Sequence, residues 1–84
     1  MHTDATILQR IGSRLKELRQ SQRITQQKLS ERCRVHRKFI SMVERGRHNV
    51  SILTLCQIIN ALGQDFTTFI RELERDLKSE PHPN

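Results

Sequence analysis

The sequence predicts an all-α domain of five helices. The chain of 84 residues has no Trp or Tyr, three Gly and two Pro, a composition typical of a helical domain rather than a turn-rich sheet. Apolar residues recur at spacings of three and four along successive segments, which is the repeat of a helix with one buried face. Capping residues and glycines flank several of these segments. Because a chain this short forms one core, we expect a single domain over residues 1–77.

The first helix is predicted from an apolar stripe. Ile7, Ile11, Leu15 and Leu18 follow one another at spacings of four, four and three. Gly12 lies inside this helix, where it costs about 1 kcal/mol relative to Ala. We therefore expect another backbone segment to approach closely at Gly12.

Residues 25–46 contain two short helical patterns joined by a turn. Thr25 is suited to cap the first of these helices, and Gly46 is suited to end the second. The residues predicted to point inward before the second helix are Leu29, Cys33 and Val35. This order is the signature of a helix-turn-helix motif, and it predicts a recognition helix over residues 36–45.

The predicted recognition helix has two different faces at about 100° per residue. The side predicted to be buried carries Phe39, Ile40 and Val43. The opposite side carries Lys38, Ser41, Met42 and Arg45, with Arg37 on its flank. The exposed face therefore offers long hydrogen-bond donors near the start of the helix, where a recognition helix contacts base edges.

A fourth helix is predicted over residues 52–62, between the capping Ser51 and the terminating Gly63. It has no charged residue, and Ile52 and Leu53 lie off its main apolar stripe. A helix that is apolar over more than one face packs against more than one neighbour. We therefore expect a second subunit to cover part of this helix.

The fifth helix is predicted from apolar residues in a heptad-like spacing, which are Phe66, Phe69, Ile70, Leu73 and Leu77. Phe66 and Phe69 are expected to close the core of their own domain. Ile70, Leu73 and Leu77 extend past what four short helices can cover, which favours helix pairing between two copies of the chain; the alternative is that these three residues belong to the core of one subunit. Residues 78–84, with two prolines, are expected to form a disordered tail.

The positive charge of the chain is concentrated in one part. Residues 1–50 carry 12 Lys and Arg against 4 Asp and Glu, whereas residues 51–84 carry 3 against 5. The basic part contains the helix-turn-helix pattern. Such an asymmetry is typical of nucleic-acid binders, although an anionic membrane or an acidic protein would also attract it.

Other classes of function have weaker support. No apolar run is long enough to span a membrane and the first residues lack a signal-peptide pattern, so we expect a cytoplasmic protein without membrane association. We expect no enzyme activity, no cofactor and no metal. Cys33, His36, His48 and Cys56 form an alternative zinc set, but their spacing and the core-like setting of both cysteines disfavour it. We expect both cysteines to be free thiols.

The strongest match to a known family lies in the motif and the segments around it. The residues that carry it are Thr25-Gln26, Leu29, Val35, Ile40-Ser41, Val43-Glu44-Arg45-Gly46 and Leu62-Gly63. With these residues the chain resembles the DNA-binding domain of lambda-repressor, Cro and Xre regulators over roughly residues 11–69. Its small size and long fifth helix make it most similar to the controller proteins of restriction-modification systems.

The resemblance implies a five-helix, homodimeric transcription regulator that binds a two-fold related operator in double-stranded DNA, with RNA polymerase as a further candidate partner. The implied base-reading residues are Arg37, Lys38, Ser41 and Met42. The expected phosphate contacts are Gln26, Lys28, Arg34, His36, Arg45, Arg47, His48 and Asn49. The expected dimer interface contains Ile52, Leu53, Phe69, Ile70, Leu73 and Leu77. The family also implies a buried ion pair between Arg19 and Glu44.

The chain departs from the family at four positions, one of which is Val50 in place of a common proline. Arg23 and Arg34 stand where glycine is common, so each is predicted to hold a left-handed backbone unless the turn differs. His36 stands where a capping Ser, Thr or Asp is common. A second interpretation is an antitoxin or transcriptional adaptor that uses the same fold mainly to bind a partner protein.

Overall fold

The computed structural model describes residues 3–79, and within this range the chain forms five α-helices and no strand. The helices are α1 (Asp4–Ser21), α2 (Gln26–Cys33), α3 (Arg37–Glu44), α4 (Ile52–Ala61) and α5 (Phe66–Ser79). The predicted all-α class is confirmed. Helices α2 and α3, with the turn between them, form the helix-turn-helix.

Side chains cap the start of every helix. The hydroxyl oxygens of Thr3, Thr25 and Ser51 each accept a hydrogen bond from a backbone amide in the first turn of α1, α2 and α4. Asp65 does the same for α5, where the backbone N–H of Thr68 donates to it over 2.7 Å. The bonds from the backbone and the hydroxyl of Thr68 hold the pKa of the Asp65 carboxyl below its ordinary value.

Helix α3 is capped by an imidazole. Nδ1 of His36 accepts a hydrogen bond of 3.0 Å from the backbone N–H of Lys38. The bond requires an unprotonated Nδ1. The substitution of His for the usual hydroxyl or carboxyl residue therefore leaves the recognition helix capped.

Two arginines hold left-handed backbone conformations in the turns that flank α2. Arg23 has φ 57° and Arg34 has φ 59°, at the positions where glycine is common in the family. Such a conformation costs a non-glycine residue roughly 1 kcal/mol. The predicted left-handed backbones are therefore present, and both exposed side chains place a cation beside α2.

The core lies between α1, α4 and α5 on one side and the helix-turn-helix on the other. Its largest fully buried side chains are Leu15, Leu29, Ile40, Ile58, Ile59 and Phe69. The prediction that Phe39 is buried was wrong, because 46% of its surface remains exposed. At about 100° per residue Phe39 lies between Val43, which is buried, and Met42, which borders the exposed face.

The first and third helices pack unusually closely at Gly12. A Cβ atom added to Gly12 would lie 2.5 Å from the carbonyl oxygen of Glu44 and closer still to that of Val43. The predicted close approach of a second backbone is therefore present, and that backbone is the C-terminal end of α3.

Helix α5 extends further than predicted and packs against α1. Lys78 and Ser79 belong to the helix, so the boundary predicted at residue 77 is two residues early; residues 80–84 of the predicted tail lie outside the described residues. An ion pair from Lys78 to Glu74 and a bond from the Ser79 hydroxyl to the Asp76 carbonyl support this last turn.

A charged cluster joins α5 to α1. The Arg14 guanidinium donates to Asp76 over 2.6 Å and also to Glu72. All three side chains are partly buried. The cluster therefore fixes the position of the C-terminal helix relative to the N-terminal one.

Candidate nucleic-acid interface

The exposed face of α3 forms a shallow concave surface with the start of α2. The surface encloses about 390 Å³ and is lined by Gln26, His36, Arg37, Lys38, Ser41, Met42 and Arg45. It brings together all four predicted base-reading residues and three of the predicted phosphate contacts. Arg37, Lys38 and Arg45 are exposed, while Ser41 and Met42 are half-buried between them.

A hydrogen-bonded network beneath this surface joins three helices. Arg19 of α1 donates to the Glu44 carboxylate of α3 over 2.7 and 3.1 Å. Nη1 of Arg19 also donates to the Ile24 carbonyl over 2.8 Å. The side chain of Glu44 is 4% exposed and that of Arg19 is 11% exposed. The structure thus places the predicted pair in contact and almost fully removes it from water.

Gln26 belongs to the same network. Its side-chain amide nitrogen donates to Glu44 Oε1 over 3.0 Å, from the first residue of α2. The bond holds the Gln26 side chain beside the concave surface. A fixed amide at a helix N-terminus is well placed for a phosphate, because the free backbone N–H groups and the helix dipole favour an anion there.

The remaining predicted phosphate contacts lie in α2, in the turn before α3 and in the loop after α3. Lys28, in the first turn of α2, and Arg34, in the turn that follows, are exposed. Arg47 and Asn49 are exposed in the loop after α3, and His48 is half-buried there. No Asp or Glu occurs between Glu31 and Glu44, and Glu44 is buried, so the charged side chains exposed on α3 are all cationic.

Phe39 is a surface residue of this region that the sequence pattern did not reveal. Its ring centroid lies 5.5 Å from that of His48 and 6.5 Å from that of His36. The three rings border a cleft of about 350 Å³ between α3 and α4. The only signal in the sequence was the angular position of Phe39 at the edge of the apolar face.

The predicted dimer interface is divided by the structure into two groups. Phe69 and Leu73 are buried within the subunit, at 0% and 6% exposure, so their assignment to the interface was wrong. They pack inward because α5 lies directly against α1 and α4. Ile52 and Leu53 are 67% and 79% exposed, and Ile70 and Leu77 are half-buried.

An apolar cleft adjoins the exposed group of residues. It encloses about 450 Å³ between α1, α4 and α5, and Ile7, Ile11, Ile52 and Ile70 are among its lining residues. Exposed apolar surface of this kind is typical of sites that bind another protein, a membrane or a ligand.

Both cysteines are free thiols, with Cys33 buried and Cys56 half-buried. Burial raises the pKa of the Cys33 thiol above its ordinary value, which keeps it protonated. In residues 3–79, no three His, Cys, Asp or Glu side chains converge in a way that could hold a metal ion. No helix in this range has both the length and the apolar character to cross a bilayer.

The model of the helix-turn-helix family matches residues 15–69, which include both helices of the motif and the core around them. The chain belongs to this family, in its lambda-repressor and Xre branch of DNA-binding transcription regulators. Control protein C.BamHI of Bacillus amyloliquefaciens is 39% identical over 64 residues, which cover 68% of this chain and 79% of that protein. The immunity repressor of Bacillus phage phi105 is 32% identical over 62 residues, which cover 74% of this chain but 43% of the repressor.

Solved structures of restriction-modification controller proteins have the same fold. Wild-type C.Esp1396I superposes with a TM-score of 0.80 at 25% identity, covering 87% of this chain and 96% of that one. A tetramer of C.Esp1396I in complex with its natural 35 base-pair operator matches with the same TM-score, identity and coverage. C.AhdI from Aeromonas hydrophila is 33% identical with a TM-score of 0.69, over 79% of this chain and 94% of that one.

Proposed function

We propose that this chain is a cytoplasmic, sequence-specific transcription regulator that binds a two-fold related operator as a homodimer, with α3 in the major groove. The observation that carries the proposal is the concave surface of α3, where Arg37, Lys38, Ser41 and Met42 lie together beside cationic helix ends. The operator complex of C.Esp1396I supports it, since that protein shares the fold. RNA polymerase is a further proposed partner, recruited or excluded by the bound dimer.

Arg37 is the proposed principal base reader. It is the first residue of α3, it is exposed, and no acidic side chain pairs with it among the described ion pairs. Its planar guanidinium matches the O6 and N7 acceptors of guanine with two parallel hydrogen bonds. Lys38 and Ser41 reach neighbouring base edges, and Met42 contributes an apolar contact one turn further along.

In this proposal the phosphate contacts form two groups of residues, here called clamps, one on each side of α3. Gln26, Lys28 and the free amides of α2 hold one phosphate segment, and Arg34 and His36 extend this clamp across the turn. Arg47, His48 and Asn49 hold the opposite segment, with Arg45 between the two. Such contacts set the register of α3 on the duplex but do not themselves distinguish sequences.

The homodimer is proposed to form through the apolar residues that remain exposed or half-buried, which are Ile52, Leu53, Ile70 and Leu77. Two subunits related by a two-fold axis then present their α3 helices to half-sites about 34 Å apart. An isologous interface of this kind uses the same patch on both subunits.

We expect Arg37→Ala to weaken binding to the selected operator by about 1–3 kcal/mol and to relax specificity at one base pair per half-site. Arg47→Ala is the matched control, because it removes the same charge from the loop. It is expected to weaken operator and random DNA alike and to reduce the salt dependence. Shift assays at several salt concentrations, on an operator selected from random DNA, measure both effects. Equal losses for Arg37→Ala on operator and random DNA contradict the base-reading role.

A second candidate function is a protein-interaction module, such as an antitoxin or an adaptor. The apolar cleft beside the exposed Ile52 and Leu53 favours it, because a partner protein could cover that surface instead of a second copy.

Molecular mass measured by light scattering separates the two functions. We expect the purified chain to be a dimer at micromolar concentration and Leu53→Lys to be a monomer, because the charge would lie in the apolar interface. Asn60→Lys, exposed on the same helix, is the control and should remain dimeric. A monomeric parent chain that becomes stable only when a second protein is added supports the interaction module.

A further inference from the structure

We propose that the cleft between α3 and α4 is a binding site for a small planar aromatic molecule that carries one anionic group. The cleft encloses about 350 Å³, near the lower end of the range usual for ligand sites, and therefore suits a molecule of one or two rings. It shares only His36 with the concave surface of α3. Binding in this cleft requires no DNA, so the inference goes beyond the proposed function.

Phe39 supplies an aromatic wall to the cleft. Its ring is 46% exposed, whereas the other two Phe side chains of the chain are buried or pack against the core. Val35 and Val43 are further apolar lining residues. His36 meets the Phe39 ring edge-to-face at 85°, and His48 lies against it at 48°. Because two neighbouring rings restrain its orientation, the Phe39 ring is preorganised for contact with a further aromatic group.

The polar lining of the cleft consists of a cation and several hydrogen-bond donors. Arg34 is exposed there, and Thr54 and Gln57 of α4 add a hydroxyl and an amide. Nδ1 of His36 accepts the bond from the Lys38 backbone, so the proton of the neutral ring is on Nε2, which is a donor. Among residues 3–79, no Asp or Glu lines the cleft. The lining therefore complements an anion.

Arg34 occupies its place in the cleft at a cost in backbone energy. Its φ is 59°, a left-handed conformation that costs roughly 1 kcal/mol and that glycine would adopt more easily. Backbone strain of this kind concentrates at functional sites. The guanidinium it places in the cleft matches a planar carboxylate with two parallel hydrogen bonds. Phe39 and Arg34 thus provide the two contacts that an aromatic carboxylate requires.

The apolar cleft between α1, α4 and α5 does not suit such a ligand. Among the residues that the structure describes, Asp4 is its only charged lining residue, and a carboxylate repels an anion. The two clefts therefore favour ligands of different charge. A single binding experiment that reports on both clefts distinguishes them.

A ligand in the cleft between α3 and α4 is expected to oppose DNA binding. This step rests on the proposed function, because Arg34, His36 and His48 are proposed phosphate contacts and also line the cleft. A guanidinium that pairs with the ligand is not free for a phosphate at the same time. The ligand and DNA therefore weaken one another's binding by the same factor.

The probe for the site is 2-naphthoate, and binding is followed from the amide chemical shifts of the isotope-labelled chain. We expect saturable shifts at Arg34, Phe39 and Gln57 and none at Ile7 or Ile70, which line the other cleft. 2-Naphthamide has the same rings without the charge, and cyclohexanecarboxylate has the charge without an aromatic ring. Each is expected to bind at least about fivefold more weakly than 2-naphthoate.

Arg34→Gly removes the cation without disturbing the turn, because glycine favours the left-handed backbone at this position. We expect 2-naphthoate to bind this variant at least about tenfold more weakly, since a charge-assisted hydrogen bond is lost. Arg23→Gly is the matched control. It also replaces an exposed left-handed arginine, but Arg23 does not line the cleft, so its affinity should equal that of the parent. Equal losses in the two variants overturn the inference, because only net charge would then matter.

Shift assays on a selected operator measure the effect on DNA. At about ten times its dissociation constant, 2-naphthoate is expected to weaken operator binding by roughly tenfold, and cyclohexanecarboxylate at equal concentration should act less, although it adds the same ionic strength. Shifts only around Ile7 and Ile70, or no saturable shifts, overturn the inference whether or not the chain binds DNA. Binding in the cleft without loss of operator affinity overturns the competition step. Binding of 2-naphthoate by a chain that selects no operator supports the site and contradicts the proposed function.

Discussion

Glu44→Ala is expected to lower the free energy of unfolding by about 3–5 kcal/mol, the typical cost of breaking a buried ion pair from one side. The substitution leaves the Arg19 guanidinium buried with one remaining bond, to the Ile24 carbonyl. It also removes the acceptor of the Gln26 amide. Because these contacts join α1, α2 and α3, the loss is expected for the whole domain and not only for α3.

Urea unfolding followed by circular dichroism measures this change. Glu74→Ala is the matched control, since Glu74 also pairs with a basic residue on a helix but is 66% exposed. An exposed pair of this spacing contributes about 0.3–0.5 kcal/mol, so the control should remain close to the parent. A loss for Glu44→Ala no larger than that of the control contradicts the structural role of the pair.

A double variant distinguishes the free-energy cost of leaving the Arg19 charge unpaired from the cost of losing its bonds to Glu44. Arg19→Met combined with Glu44→Leu replaces both partners by apolar groups of similar volume. Such replacements of buried pairs are often neutral or stabilising. We expect the double variant to recover most of the stability lost in Glu44→Ala. It should still bind DNA less well than the parent, because Gln26 remains without its acceptor.

The helices could be predicted from the sequence because local rules decide most of their boundaries. Thr25 and Ser51 cap the helices they were predicted to cap, since a hydroxyl that accepts a first-turn amide bond needs no distant partner. The buried positions Leu15, Leu29, Ile40 and Val43 follow from helical periodicity. Together these residues decide which side of α3 faces outward, and thereby predict the concave surface.

The errors concern residues whose environment depends on neighbouring helices. Phe39 is at the edge of the apolar face, and the burial of that edge depends on how closely the next element approaches. Phe69 and Leu73 have the spacing of a helix-pairing seam, but periodicity does not distinguish a helix of the same subunit from one of a second copy. The Glu44 bond to Gln26 was also missed, because it depends on the angle between α2 and α3.

Gly12→Val is expected to lower the free energy of unfolding by at least about 3 kcal/mol, near the upper end of the usual cost of overpacking. An added Cβ would lie 2.5 Å from the oxygen and 2.8 Å from the carbon of the Glu44 carbonyl. Both atoms belong to the backbone, so no side chain can rotate away to relieve the contact. Helices α1 and α3 must therefore separate, which also displaces Glu44 from Arg19 and shifts the base-reading face.

Gly12→Ala tests the same contact between α1 and α3, because the contact and helix propensity predict changes of opposite sign in the free energy of unfolding. Helix propensity alone predicts that Ala stabilises α1 by about 1 kcal/mol relative to Gly. The contact with α3 predicts the opposite sign, with a net loss of about 2 kcal/mol once this gain is subtracted from the cost of overpacking. Ser13→Ala, at the exposed neighbouring position, is the control, because it measures the effect of helix propensity without the contact to α3. If Gly12→Ala proves as stable as the parent in urea unfolding, the two helices do not pack at the distance that positions α3 for DNA.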